Sequence, residues 1–122
     1  MKTVRVTTDS VIEVLDIPWT PEEQERAIGA DCVEIVKTQI MYDLFEDRIV
    51  MLVDESGICK GLPENRLASW MYGAQMHGCF IHGDVLFARQ DRSCINPLEN
   101  AEYVKSFLRS NFPFLKEASA KS

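Results

Sequence analysis

The run IVMLV, Ile49 to Val53, constrains the fold more than any other stretch of this chain. In a strand, successive side chains point to opposite faces, so an unbroken apolar run needs cover on both. Five residues are too few for a buried helix. The run therefore predicts a central strand in a sheet with helices packed on it.

Other segments supply the neighbours. Val4 to Thr7 and Val11 to Ile17 alternate apolar and polar residues around Asp9-Ser10, which predicts a hairpin. Thr20 to Gly29 carries a full set of helix signals: Thr20 to accept from the amide of Glu23, Glu23 to reach back to Thr20, Pro21 at the first position and Gly29 after the last turn. CVEIVKT from Cys32 predicts a strand, whereas residues 38–48 fit a helical turn and an alternating strand almost equally and stay open. After IVMLV, Asp54 to Gly57 reads as a tight turn with Gly57 at positive φ, and Ile58 to Lys60 as a short returning strand. A helix then starts near Pro63 and ends near Gly73, burying Leu67, Trp70 and Met71. GCFIHGDVLFA from Gly78 predicts a strand with a bulge at Gly83, and Asn96-Pro97 opens a last helix closed by Asn111 and Pro113.

The expected fold class is therefore α+β: a single domain over residues 1–115 with a mixed or antiparallel sheet, two to three helices and the order ββαβββαβα, followed by a flexible tail at 116–122. A chain of 122 residues should bury roughly two-thirds of its unfolded surface and needs no disulfide or metal to hold a core. The N-terminus lacks the apolar core of a signal peptide and no apolar run approaches membrane-spanning length. A cytosolic location is expected, with Cys32, Cys59, Cys79 and Cys94 reduced.

Charge is lopsided. Residues 1–60 carry thirteen Asp/Glu against six Lys/Arg, and residues 61–122 carry six against seven. Without clustered Lys and Arg to neutralise phosphates, direct binding to DNA or RNA is not expected. The acidic half offers Glu22, Glu23, Glu25, Glu46 and Asp47 as a candidate surface for a protein partner.

Catalytic groupings are thin. Cys79 and His82, with His77 nearby, make half a zinc motif without a second pair, so no metal and no cofactor is expected. Cys59 lacks an oriented base, and the cysteines read as small buried hydrophobes. The acidic pairs Asp54-Glu55, Glu22-Glu23 and Glu46-Asp47 sit where turns and helix starts favour acids. Gly61, Gly73, Gly78 and Gly83 are too far apart for a phosphate loop. Trp70, Tyr72, Phe80 and Phe87 read as core. One candidate ligand site remains: Lys60, Gly61, Asn65 and Arg66 at a helix start, with His82 nearby, where an anion could dock. Asn65 is equally suited to cap the helix.

VDESGICKGLPENRLAS from Val53, followed by GDVLF from Gly83, resembles domain-of-unknown-function family 3846, found in proteins of bacteriophages, plasmids and conjugative elements. The matching positions are Asp54, Glu55, Gly57, Lys60, Gly61, Leu62, Pro63, Asn65, Gly83, Asp84 and Val85. The likeness is specific from Ile49 to Phe87 and general elsewhere, and KTQIMYDLFEDR is longer than the connection the family would suggest. The resemblance implies no enzymatic activity and carries no catalytic residues. It implies an accessory protein of a phage or mobile element that binds a host or element protein, with counter-defence as one such role. The alternative is a protein that binds or sequesters an anionic metabolite or nucleotide.

Overall fold

The computed structural model describes residues 1–74 and 78–118. These residues form β1 (Lys2–Val6), β2 (Val11–Asp16), α1 (Pro21–Ile28), β3 (Val33–Val36), α2 (Gln39–Phe45), β4 (Ile49–Asp54), α3 (Arg66–Tyr72), β5 (Val85–Asp91), β6 (Cys94–Asn96), α4 (Ala101–Asn111) and β7 (Lys116–Glu117). The strands make one sheet in the order β3-β4-β5-β1-β2-β7, with β6 paired to β5. The β2–β7 pairing is parallel and the others are antiparallel, so this is a single mixed α+β domain.

All six residues of β4 are buried. Val50 and Leu52 join Leu86 and Ala88 of β5 against Ile28 of α1, while Ile49, Met51 and Val53 face the larger core on the other side. That larger core takes Met41 from α2, Leu67, Ala68 and Met71 from α3, and Ala101, Val104 and Leu108 from α4. The continuous apolar run is thus a strand with cover on both faces.

The ambiguous segment is the helix α2, which brings the number of helices in the described residues to four. Thr38 accepts from the amide of Met41 at 3.2 Å, and the chain leaves the helix at Glu46 with φ 53°. Met41, fully buried, and the partly buried Leu44 and Phe45 settle the period in favour of a helix.

Ile58 to Lys60 is not a strand. Both edges of β4 are already paired, to β3 and to β5, so a returning strand has nothing to pair with. Residues 55–61 instead coil in successive turns, with the amide of Lys60 bonded to Ser56 O at 2.9 Å and that of Leu62 to Gly57 O at 3.1 Å. The strand expected from Gly78 begins only at Val85, after Gly83 takes φ 100°. Cys94–Asn96 returns along β5 through a turn at Arg92, and the last helix starts at Ala101 rather than at Asn96-Pro97. The observed order is ββαβαβαββαβ. Lys116 and Glu117, read from the sequence as the start of the tail, pair with Val11 and Ile12. The tail from residue 119 onward lies outside the described residues.

At α1, Thr20 caps the amide of Glu23 at 3.2 Å as expected, but the Glu23 carboxylate takes Arg26 as its partner. Gly29 closes the helix at φ 68°.

Candidate functional site

The motif residues from Asp54 to Asn65 fold into a loop that is laced to the segment 81–84. The Asp54 side chain has 0% exposure and accepts from Lys60 Nζ at 2.9 Å and from the amide of Ser56 at 2.9 Å. Lys60 also donates to Gly29 O at 3.2 Å and lies 3.5 Å from Asp31, which ties the loop to the end of α1. Its hydrogen bond to Asp54 holds the ammonium above the ordinary lysine range, against a smaller opposing effect of desolvation. Gly57 is not at positive φ. It is needed because a Cβ there would stand 2.3 Å from His82 O.

Asn65 is completely buried and has all its polar atoms engaged. Its Oδ1 accepts from the amide of Ala68 at 3.1 Å, and Nδ2 donates to Val6 O and Gly83 O, each at 3.0 Å. One side chain therefore caps α3 and ties it to β1 and to the approach to β5. His82 Nδ1 donates to Leu62 O at 2.8 Å, since a carbonyl only accepts, and the amide of Gly83 bonds Pro63 O at 2.9 Å. Asp84 accepts from the amide of Thr8 at 3.0 Å, which fixes the β1–β2 connection to the same loop. Gly61, at φ 70°, lies on the exposed outside of the turn. Asn65 and His82 are thus joined through the segment 81–84 while Lys60 turns to Asp54 and the end of α1, and the Lys60 ammonium, the Asn65 amide and His82 Nδ1 all hold the chain to itself.

Arg66 points elsewhere. Its guanidinium lies 3.9 Å over the ring of Phe114, at the rim of an open groove of about 1020 Å³ between α2, α3 and the C-terminal segment. Trp70 and Phe80 line this groove and are 47% and 46% exposed, so these two of the four aromatics read as core lie at the surface. Phe87 is core, with no exposure. Trp70 escapes the buried side of α3 by turning edge-on to Phe112, with ring centroids 5.0 Å apart.

The five acidic candidates do not share a face. Glu22, Glu23 and Glu25 ride on α1, whereas Glu46 and Asp47 follow α2 on the opposite side of the sheet. Asp47 pairs with Arg89 at 3.4 Å.

All four cysteines are exposed, contrary to their reading as buried hydrophobes, because each lies in a connection between elements or on the short β6 rather than in the core. A hydrogen bond with Glu55 pushes the Cys32 thiol up, which keeps it protonated. His77 lies outside the described residues. Among the described residues, no three His, Cys, Asp or Glu side chains are grouped to hold a metal ion, and no helix is long and apolar enough to cross a membrane.

Sequence reasoning missed a second cavity, of about 410 Å³, at the end of the sheet where β3 stops and β4 begins. Lys37, Arg48 and Arg92 line it together with Gln39, Tyr42 and Gln90. These cations are far apart in the chain, and only the pairing of β3 with β4 and of β4 with β5 brings them together.

The family model described as Domain of unknown function (DUF3846) matches residues 1–108. The chain belongs to this family. The match extends beyond the loop to most of the sheet and much of α4, and so covers all the residues that line the smaller cavity, whereas Asn111, Phe112 and Phe114 of the groove lie beyond it. No curated protein and no solved structure matches the chain.

Proposed function

We propose that this DUF3846 protein is a non-enzymatic accessory protein that acts by binding another protein, in the setting of a phage or mobile element that the family resemblance suggests. The observation that carries this reading is the pair Trp70 and Phe80, each nearly half exposed in one groove. Large aromatics are the side chains that most often anchor protein interfaces, because they bury much area for little conformational cost. The groove rim carries Asp43 and Glu64, its one arginine is engaged with Phe114, and the formal net charge of the whole chain is -6. The fitting partner is a protein segment with bulky apolar side chains flanked by Lys or Arg.

The test starts with native mass spectrometry of tagged protein from its host cell, followed by affinity measurement with the purified partner. Trp70→Ser and Phe80→Ser should each weaken binding by tenfold or more with little change in melting temperature. Undiminished binding by both variants would reject the groove. Loss of binding on neutralising Glu22, Glu23 and Glu25 would move the contact to α1.

A second reading, binding or sequestering an anionic small molecule, is favoured by the cation-lined cavity rather than by the surroundings of Lys60 and Asn65.

A further inference from the structure

Of the twelve Lys and Arg side chains in the described residues, six have a carboxylate partner: Arg5 with Glu13, Arg26 with Glu23, Lys60 with Asp54, Arg89 with Asp47, and Lys105 and Arg109 with Glu117. Lys37, Arg48 and Arg92 have no ion pair or side-chain hydrogen bond to any described residue, yet all three line the same cavity. In a chain with a formal net charge of -6, carboxylates to pair with are plentiful. Convergent unpaired cations repel one another, and an anion between them removes that repulsion.

The backbone around them is shaped for this arrangement. Asp47 Oδ1 accepts from the amide of Arg48 at 2.7 Å, which holds the α2–β4 connection as it enters the strand. The Asp47 carboxylate also lines the cavity but is shared with Arg89. Arg92 occupies a left-handed position, φ 57°, in the β5–β6 turn, where Gly or Asn would sit with less strain. Ser10 and Glu46 are the other non-glycine residues at positive φ among the described residues, and such positions are enriched at functional sites. Tyr42, 53% exposed, stands at the cavity with its ring available for a flat group. The volume of about 410 Å³ falls in the range of small-molecule sites.

We infer that the cavity bounded by Lys37, Arg48 and Arg92 binds a phosphorylated small molecule through its phosphate groups, with an attached ring lying against Tyr42. This rests on the small-molecule reading and assigns its site. The guanidinium groups of Arg48 and Arg92 match phosphate oxygens in geometry, and Lys37 supplies a further charge. The site is separate from the Asp54–Asn65 loop, which lies beyond the far end of β4, roughly 17 Å away by strand rise.

The experiment is calorimetric titration of the whole chain with metal-free ADP, inorganic pyrophosphate and adenosine. ADP and pyrophosphate should bind and adenosine should not, and a tighter grip on ADP than on pyrophosphate would place the ring against Tyr42. Arg48→Gln and Arg92→Gln should each weaken ADP binding by about tenfold, as expected for loss of a charge-assisted contact. Lys116→Gln, which removes one positive charge at the other end of the sheet, should leave it within about twofold. Melting temperatures of the variants show that each is folded. Absence of binding by both phosphorylated probes at millimolar concentration would overturn the inference and the small-molecule reading together. Binding of ADP that ignores Arg48→Gln and Arg92→Gln would overturn the site while leaving that reading standing. Tighter binding of a short single-stranded oligonucleotide than of ADP would overturn the small-molecule class.

Discussion

Lys60 Nζ lies 2.9 Å from Oδ2 of Asp54, a carboxylate with 0% side-chain exposure. The pair explains why Lys and Asp stand six residues apart in the motif: the loop must coil once to bring the ammonium onto the buried acid. Lys60→Met should lower the melting temperature by several degrees, because Asp54 would keep its burial and lose its counter-charge. The sign of the pH effect follows from the raised Lys60 pKa. Its contribution is fully present below the ordinary lysine value of 10.5 and is lost as pH rises through the higher folded value. Thermal melts between neutral and strongly alkaline pH should therefore show an alkaline loss of stability in the natural chain that is smaller in Lys60→Met.

Asn65 makes a sharper test of the same loop. Asn65→Ala removes a helix cap and leaves Val6 O and Gly83 O without their donor in the core, an expected cost of about 3 kcal/mol. Asn65→Asp keeps the cap but turns an anion toward those two carbonyl oxygens, so it should destabilise at least as much at neutral pH. Urea unfolding of both variants decides this. If Asn65→Asp were as stable as the natural chain, the two Nδ2 hydrogen bonds could not be the reason for Asn at this position.

Gly57→Ala should cost about 2 kcal/mol or more, because the added methyl meets a backbone oxygen that a rotamer change cannot move. Gly61→Ala also pays for a left-handed φ, but nothing lies within 4 Å of its Cβ, so it should be the milder of the two. Equal losses in chemical denaturation would show that the loop gives way at His82.

Much of this architecture was readable before the structure, and the parts that were not have physical causes. The Ile49–Val53 run demanded cover on both faces, and Thr20 and Gly29 marked both ends of α1, because those signals are local. The Ile58–Lys60 strand failed because strand formation depends on a free neighbouring edge, which no local pattern reveals. Cys94–Asn96 went unread because its turn uses Arg92 at positive φ where a hairpin usually announces itself with Gly or Asn. The same holds for the candidate sites. The helix-start residues were found by their spacing, yet Asn65 is tied to backbone 59 and 18 residues away. The cations at Lys37, Arg48 and Arg92 carried no signal at all, since their meeting is a product of strand register.

Glu117 predicts acid behaviour at the other end of the chain. It accepts from Lys105 Nζ and from Arg109 Nη1, each at 2.8 Å, and so fastens β7 to α4. The hydrogen bond from Lys105 holds its carboxyl below the ordinary value of 4.5. The contribution is present above that value and disappears as pH falls through the lower folded one. Amide exchange of residues 116–118 should accelerate in this acid window while β4 stays protected, and Glu117→Gln should show fast exchange already at neutral pH. Protection unchanged in Glu117→Gln would assign the docking of β7 to its backbone pairing with Val11 and Ile12 alone.

Arg92 offers a prediction in which stability and binding move in opposite directions. At φ 57° an arginine is strained where glycine is not, and the side chain has no partner among the described residues to offset the strain. Arg92→Gly relieves that strain but gives the unfolded chain more freedom, so the net effect should lie between neutral and about 1 kcal/mol stabilising. The same change removes one of the cavity's cations and should weaken ADP binding about as much as Arg92→Gln does. Melting and calorimetry on one preparation report both quantities. A protein that gains stability and loses the ligand would show that the arginine is kept for its charge, whereas a clear loss of stability would mean that the side chain supports the β5–β6 turn and that its place in the cavity is incidental.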